Sequence, residues 1–94
     1  MKRFSLIYHP LVLREDRARL GEFEWERIGK AIQRRLTTFP EKFGKPLQKD
    51  FKGLWSLRVG DWRVIYEISG EQIRILRIGH RREVYQQEIR VFED

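Results

Sequence analysis

The sequence predicts a small α+β domain in which two helices precede an antiparallel meander of three strands. Apolar residues between Trp25 and Phe39 recur at spacings of three and four, which is the period of an amphipathic helix. From Leu54 onward apolar and polar residues alternate instead, which is the period of a half-buried strand. Because 94 residues suffice for one compact core, we expect residues 1–94 to form a single domain.

The first half of the chain is expected to contain one strand and two helices. Residues 3–8 alternate as a strand, and a first helix over residues 10–20 follows, which Gly21 can end as a left-handed C-cap. A second helix comes next and is ended by Pro40. Its predicted core-facing stripe consists of Trp25, Ile28, Ile32, Leu36 and Phe39.

The second half of the chain is expected to form most of the sheet. After an irregular connection over residues 41–52, strands are predicted at 54–59, 62–68 and 72–80, joined by turns short enough to force antiparallel hairpins. The tail over residues 84–94 fits either a short C-terminal helix or an edge strand. The predicted order is βααβββ, with an antiparallel twisted sheet and two N-terminal helices packed on one of its faces.

Composition narrows the possible functions. The chain has no cysteine and two histidines, which excludes disulfides and thiolate metal sites and argues against structural zinc. It also lacks the run of about 20 apolar residues that a membrane helix needs. We therefore expect a cytoplasmic protein with no metal, no cofactor and no membrane association. Its net charge of +6 favours an anionic partner, either a nucleic acid or an acidic protein segment.

The lengths of the turns predict which residues face each other across the sheet. A two-residue turn at Gly60-Asp61 places Arg58 directly opposite Arg63. The second turn, Gly70-Glu71, predicts the opposite pairs Ile68 and Ile73, Glu67 and Arg74, and Arg63 and Ile78.

Alternation then sorts the strand residues onto two faces of the sheet. The face expected to pack against the helices holds Trp55, Leu57, Val59, Trp62, Val64, Tyr66, Ile68, Ile73 and Ile75. The other face is a basic surface with an apolar floor and holds Arg58, Arg63, Arg74, His80, Ile65, Leu76 and Ile78. Two arginines opposite each other repel unless an anion bridges them, so the pair Arg58 and Arg63 indicates a phosphate site. The alternative is that both side chains splay into water over their apolar stems.

Such a basic face suits the cleavage of RNA. Guanidinium groups bind a phosphate and stabilise the additional negative charge of the transition state. A histidine or tyrosine can transfer protons to and from the ribose 2′-hydroxyl and the leaving oxygen. Because RNA carries its own nucleophile, cleavage through a 2′,3′-cyclic phosphate does not require a metal.

Two segments of the chain resemble the RelE/ParE toxin superfamily. They are LWSLRVGDWRVIYEI over residues 54–68 and IGHRREVY over residues 78–85, and with the preceding helix pair the resemblance covers most of the chain. It implies a RelE-like βααβββ fold and a cognate antitoxin protein as partner in a type II toxin-antitoxin system. In the RelE-like branch it further implies an mRNA interferase, an endoribonuclease that cuts messenger RNA on the ribosome and so inhibits translation.

The resemblance also implies roles for individual residues. Arg63 and Arg81 match two arginines of RelE-like ribonucleases, His80 resembles a histidine that some relatives use as a base, and Tyr85 resembles a tyrosine near the C-terminus. The expected catalytic residues are therefore Arg63, His80, Arg81 and Tyr85. Where such enzymes can carry catalytic lysines, this chain has Leu54 and Ser56. The expected RNA-binding residues are Arg58, Lys49, Lys52, Arg74 and Arg82, with Lys49 and Lys52 as candidates to replace the missing lysines.

Two other functions remain open on the sequence. ParE-like members of the superfamily inhibit DNA gyrase and have no ribonuclease activity. The chain is alternatively a non-catalytic basic module whose apolar floor receives an amphipathic antitoxin segment. The presence of His80, Arg81 and Tyr85 near Arg63 favours the ribonuclease. We expect an antitoxin to cover the Arg58/Arg63 face or to displace the tail.

Overall fold

The alternating segments form the strands of one five-stranded sheet in the computed structural model, which describes residues 3–92. In chain order the strands are β1 Ser5–Tyr8, β2 Lys45–Pro46, β3 Trp55–Val59, β4 Trp62–Ser69 and β5 Gln72–His80. Across the sheet their order is β1-β5-β4-β3-β2. The two-residue strand β2 lies in the connection that was predicted to be irregular, and it pairs with the start of β3.

The helices stand close to their predicted positions. The first, α1, consists of a π-helical turn, Val12–Asp16, followed by a 3₁₀ turn, Arg17–Arg19. The second, α2, is α-helical over Glu22–Ala31 and continues as a π-helical turn over Ile32–Leu36. A one-turn helix, α3, follows at Pro40–Phe43, and single 3₁₀ turns lie at Lys49–Phe51 and Val84–Gln86.

The α+β class and the βααβββ order are confirmed, but the sheet is mixed rather than antiparallel throughout. Neighbours among β2, β3, β4 and β5 are antiparallel, whereas β1 lies parallel to β5, with Leu6 opposite Ile73. A short turn dictates that the strands it joins are antiparallel. No short turn joins β1 to β5, because the helices and two long strands separate them in the chain, and turn length therefore does not predict this pairing.

The apolar face of the sheet packs against α2, as the periodicity predicts. Ile28, Ile32 and Leu36 are fully buried and share one core cluster with the sheet. The fully or nearly fully buried sheet residues of that cluster are Leu57, Val59, Val64, Tyr66, Ile73, Ile75 and Ile78. Phe39 was predicted to continue the stripe but is 50% exposed. Because the helix ends at Leu36, its period no longer directs the Phe39 side chain inward.

The first hairpin has the predicted register, with Arg58 opposite Arg63. The second hairpin has the predicted register only near its turn, where Glu67 faces Arg74. Beyond Tyr66 a β-bulge places one extra residue, Leu76, in β5.

The bulge overturns three of the sequence-based assignments, namely the partner of Arg63, the face of Ile78 and the face of His80. Arg63 faces Gly79 rather than Ile78, and Ile78 faces Val64 and belongs to the core instead of the basic face. His80 likewise faces Trp62, on the side of the sheet that carries the helices. The physical reason is that side chains alternate with a period of two, so one inserted residue moves every later side chain to the other face.

The tail after β5 begins with one short 3₁₀ helix, Val84–Gln86, and forms no edge strand within the described residues. Beyond its 3₁₀ turn it runs without regular structure to residue 92, and residues 93 and 94 lie outside the described range. It crosses the face of the sheet away from α2, where the Glu88 carbonyl accepts a hydrogen bond from Arg77 Nε at 2.9 Å. The predicted apolar floor is therefore not open, since Ile65 and Leu76 are 0% and 2% exposed.

Within residues 3–92, no helix combines the length and the apolar character that crossing a bilayer would require.

Candidate active site

Two arginines lie side by side on the face of the sheet that α2 leaves bare. Arg58 and Arg63 are direct partners across β3 and β4, while the residues next to them, Leu57 and Val64, point into the core. Direct partners in an antiparallel pair have Cα atoms about 4.5–5.5 Å apart. Arg58 is exposed and Arg63 is half-buried. The predicted placement of Arg58 and Arg63 as direct partners on one face of the sheet is confirmed.

Two arginine side chains reach the turn between β3 and β4. Arg63 Nη1 lies 3.5 Å from the Gly60 carbonyl and 3.3 Å from the Trp62 carbonyl. The Arg81 backbone donates to the Asp61 carbonyl at 2.8 Å, and its Nε lies 3.7 Å from Asp61 Oδ1. The chain thus folds residue 81 back onto the turn, so that the Arg81 side chain contacts Asp61 and the Arg63 side chain contacts the neighbouring Gly60.

The charge of this region is poorly compensated. Among the described residues, no carboxylate forms an ion pair with Arg58 or Arg63. The contact between Arg81 and Asp61 is long and solvent-exposed, and such pairs contribute at most about 1 kcal/mol. The site therefore presents positive charge that an incoming anion can neutralise.

Tyr85 is held on the same face by the tail. Its hydroxyl donates to Ser56 Oγ at 3.2 Å, and Ser56 precedes Arg58 by two residues on β3. Side chains two residues apart on a strand share a face and are separated by about 7 Å. The 3₁₀ turn Val84–Gln86 thus brings the tyrosine into the neighbourhood of the arginine pair.

The lysine loop lies next to this tyrosine. Phe51, between Lys49 and Lys52, contacts the Tyr85 ring with centroids 5.6 Å apart. Both lysines are exposed, and Lys49 has a φ of 54°, a left-handed conformation that is uncommon for residues other than glycine. The contact between Phe51 and Tyr85 places the loop at the edge of the site. The sequence predicts that the two lysines act there.

His80 does not share a face with Arg63, contrary to the sequence analysis. Its ring packs edge-on against Trp62, with centroids 5.6 Å apart, and its Nδ1 accepts a hydrogen bond from the Arg82 backbone at 3.2 Å. The bulge at Leu76 is the cause, since it inverts the alternation in the last part of β5. Without a bulge, His80 would point to the same side as the arginine pair.

Arg74 and Arg82 are also not brought into the arginine cluster. Arg74 pairs with Glu67 at 3.7 Å and lies over the Phe92 ring at 5.4 Å from its centroid. Glu67 is four residues along β4 from Arg63, a distance of roughly 13 Å. Arg82 is exposed beyond the end of β5.

A buried charge cluster, which the sequence did not predict, holds the tail. Asp16 is 1% exposed, and its carboxylate accepts hydrogen bonds from Arg77, from Arg90 and from the Ile78 backbone. Burial, together with the charge of Arg90, lowers the pKa of Arg77 and outweighs the opposing effect of Asp16. Burial acts to lower the pKa of Arg90 as well, but hydrogen bonding and the charge of Asp16 raise it overall.

A weak sequence signal for this cluster exists. Asp16 follows Val12 and precedes Leu20 by four residues each, so a helical period places it on the same inward side as these two buried residues. Ser56 gave no such signal, because its contact with Tyr85 depends on the path of the tail. Within residues 3–92, no group of three or more His, Asp or Glu side chains could hold a metal ion.

Comparison with known proteins places this geometry in a family. The family described as the ParE toxin of the type II toxin-antitoxin system parDE matches residues 6–85. The toxin RelG of Mycobacterium tuberculosis is 38% identical over 52 residues, which are 53% of this chain and 60% of RelG. The toxin RelE of the same organism is 41% identical over 52 residues, which are 53% of this chain and 54% of that toxin. The matched segment thus spans little more than half the length of these relatives.

Two solved structures resemble the whole fold. The toxin-antitoxin complex RelBE2 from Mycobacterium tuberculosis contains a chain that superimposes with a TM-score of 0.78 at 27% identity, covering 85% of this chain and 93% of that one. YafQ from Escherichia coli superimposes with a TM-score of 0.59 at 17% identity, covering 88% of this chain and 99% of that one. At that identity, the likeness to YafQ concerns the fold alone.

Proposed function

The chain belongs to the ParE toxin family of type II toxin-antitoxin systems, and we propose that it is a toxin that cleaves messenger RNA on the ribosome. One observation carries this proposal: Arg58 and Arg63 sit side by side on an open face, with the Tyr85 hydroxyl held on the same face by Ser56. The names of its relatives RelG and RelE support the same branch of the superfamily. Because messenger RNA and ribosomes are its targets, its site of action is the cytoplasm.

The arginines supply the electrostatic part of the reaction. In the proposed step the ribose 2′-oxygen attacks the adjacent phosphorus, a 2′,3′-cyclic phosphate forms, and the bond from phosphorus to the 5′-oxygen breaks. The phosphate gains negative charge in the transition state, and Arg63 and Arg58 stabilise that charge. Arg81 adds a third guanidinium group, which becomes free to bind phosphate when its exposed contact with Asp61 opens.

Protons are transferred by the tail tyrosine in this proposal. The 2′-hydroxyl must lose a proton and the 5′-oxygen must gain one. Tyr85 shares the face of the arginine pair, whereas His80 lies against Trp62 on the other side. We therefore assign proton transfer to Tyr85, and to Lys49 or Lys52 as its neighbours on the adjoining loop.

The first test replaces Arg63 by Ala and measures the cleavage of a messenger RNA bound to translating ribosomes. We expect a loss of at least about 100-fold in the cleavage rate, because one preorganised charge is removed from the transition state. Thermal unfolding should change little, since Arg63 lies outside the core cluster. Tyr85→Phe should reduce cleavage by about 100-fold or more, as expected for a lost proton-transfer group.

Arg74→Ala provides the matched control. It removes an arginine from the same sheet, but one that already pairs with Glu67 at the far end of β4. We expect it to retain cleavage within a few-fold of the unmodified protein. Equal activity of the Arg63→Ala variant and the unmodified protein would contradict the proposed site.

A second candidate function is suggested by the name of the matched family. Inhibition of DNA gyrase, which the ParE-like branch implies, needs no proton-transfer group near the arginines. The two functions differ on induced expression, since an mRNA interferase stops protein synthesis, whereas a gyrase inhibitor causes DNA damage and filamentous cells. DNA damage with intact messenger RNA would favour the second candidate.

An antitoxin is the proposed protein partner. The solved relative at 27% identity is part of a toxin-antitoxin complex. An antitoxin segment that covers the arginine pair would block substrate access. If it instead occupies the floor of Ile65 and Leu76, it must first displace the tail that lies on them.

A further inference from the structure

A second basic surface adjoins the candidate active site at the end of β3. A groove of about 600 Å³ runs between α2 and the end of β3. We call it the basic groove, and its charged walls are formed by Arg27, Lys30, Arg34, Arg35 and Arg58, with Glu26 as its one carboxylate. Of these residues, only Arg58 has a role predicted from the sequence.

The helix wall of the groove is a continuous row of cations. Arg27, Lys30 and Arg34 recur at spacings of three and four along α2 and therefore share one helix face, and the next residue, Arg35, also lines the groove. From Arg27 to Arg35 the row is about 12 Å long, enough to meet about three phosphates of a stacked nucleic acid strand.

Most of this charge is unneutralised within the chain. Arg27 pairs with Glu24 at 3.3 Å. Its guanidinium also reaches the β3–β4 turn, where Nη2 would lie 2.3 Å from a Cβ atom placed on Gly60. Within residues 3–92, Lys30, Arg34 and Arg35 form no ion pair. Four exposed cations, including Arg58, thus face a single carboxylate in the groove.

An exposed aromatic residue stands at the end of the row. Phe23 lines the groove, is 76% exposed, and lies four residues before Arg27 on the same helix face. Cations that follow a groove together with an exposed ring are the combination used to bind single-stranded nucleic acid, because the ring stacks on a base of any identity. A partner of acidic peptide character would use the cations but would have no base to stack on the ring.

We propose that the basic groove binds the backbone of a single RNA strand, with Phe23 stacked on one base, and leads that strand over β3 to the arginine pair. Arg58 belongs to both surfaces, since it lines the groove and faces Arg63 across the hairpin. The part of this proposal that leads the RNA strand toward the arginine pair rests on the proposed function. The binding itself does not require cleavage.

The experiment measures binding of a fluorescent, unstructured RNA of about ten nucleotides to the Arg63→Ala protein over a range of salt concentrations. The test variant adds Lys30→Gln, Arg34→Gln and Arg35→Gln. Each lost phosphate contact lowers the slope of log Kd against log salt by about 0.7, so we expect a decrease of about 2. The matched control adds Arg3→Gln, Arg14→Gln and Arg19→Gln, which remove the same charge from exposed positions outside the groove, and should change the slope by less than half as much.

Stacking is tested separately by Phe23→Ala. We expect it to weaken RNA binding at least about fivefold with little change in the salt slope. It should leave binding of a glutamate decamer unchanged. Equal slopes of log Kd against log salt for the two triple variants would overturn the proposal. Tighter binding of the glutamate decamer than of RNA, with a loss of that binding on Phe23→Ala, would overturn it as well.

Cleavage on ribosomes separates this proposal from the proposed function. An unmodified protein that binds RNA through the groove but cuts no messenger RNA would refute the nuclease and leave the groove in place. For the cleavage assay, Lys30→Gln, Arg34→Gln and Arg35→Gln are introduced with Arg63 intact. If that protein cuts at the unmodified kcat and KM, and the same three changes in the Arg63→Ala protein leave RNA binding like that of the control, the groove is refuted and the nuclease stands.

Discussion

At Gly44 the structure permits no side chain. A Cβ atom placed there would lie 1.8 Å from the Tyr66 hydroxyl oxygen, which donates a hydrogen bond to the Pro40 carbonyl. The φ of Gly44 is −95°, which any residue can adopt. Its requirement for glycine is therefore steric and comes from the tyrosine that crosses beneath the backbone.

Replacing Gly44 by Ala should destabilise the fold by about 1–3 kcal/mol, because Tyr66 would have to move within a packed core. Urea unfolding measures this change. The control is Gly29→Ala in α2, where nothing lies within 4 Å of the new Cβ and alanine should stabilise the helix by up to about 1 kcal/mol. In a Tyr66→Phe background the cost at Gly44 should fall. A cost that is unaffected by the loss of the hydroxyl would mean that the clash is not with Tyr66.

The tail is fastened to the rest of the molecule by a buried arginine. Arg90 is 7% exposed, and its guanidinium bonds Asp16 at 2.8 and 2.9 Å and the Leu76 carbonyl at 3.3 Å. These bonds fasten residue 90 to α1 and β5, while Tyr85 reaches Ser56 on β3. The buried cluster therefore positions the segment that carries the proposed proton-transfer residue.

We expect Arg90→Ala to release this segment. Removing one partner of a buried ion pair costs about 3–5 kcal/mol, because the other charge is left without full compensation. Amide hydrogen exchange over residues 84–92 should accelerate more than exchange in β3 and β4. In Glu88→Ala, exchange should stay near the unmodified rate, since only the backbone of Glu88 bonds Arg77. Unchanged tail exchange in Arg90→Ala would show that other contacts hold the tail.

Stability of the whole molecule should fall in strongly alkaline solution. Burial, reinforced by the charge of Glu41, raises the pKa of Tyr66 far above its ordinary value of 10.0, and burial also raises the pKa of Tyr8. The folded state thus holds these protons more tightly than the unfolded state. Their contribution is complete below pH 10 and decreases as the pH rises above it.

The measurement is the free energy of unfolding between pH 9 and pH 11.5, compared with Tyr66→Phe. We expect a decline in the unmodified protein and a shallower one in the variant, because the variant lacks the phenol with the larger shift. If the two proteins have parallel pH profiles, ionisation of Tyr66 does not contribute to alkaline unfolding.

Features that depend on residues close together in the chain were predicted correctly. Features that depend on residues far apart in the chain were not. Helix α2, the strands of the meander and the Arg58/Arg63 pair follow from residue period and turn length, which act over a few neighbouring residues. The parallel pairing of β1 with β5 joins segments more than sixty residues apart. Its direction depends on where α1 and α2 carry the chain, and local patterns do not contain that information.

The bulge at Leu76 shows how one residue alters a site. β5 is apolar on both sides of the bulge, so the pattern Ile73, Ile75, Leu76, Ile78 does not reveal where the alternation shifts. The shift turns His80 toward Trp62 and Arg77 toward Asp16. The sequence therefore predicted the arginine pair correctly, because it lies in the unbulged hairpin, and placed the histidine on the wrong face.

By itself, the sequence determined the α+β class, the order of the elements, the first hairpin and its paired arginines, because period and turn chemistry are local properties. The tertiary structure decided which residues join that pair. It turned His80 away, brought Tyr85 to Ser56 through the tail, and aligned the cations of α2 beside Arg58. These placements depend on a bulge, a buried carboxylate and the packing of a helix on a sheet edge, and each of these couples residues that are distant in the chain.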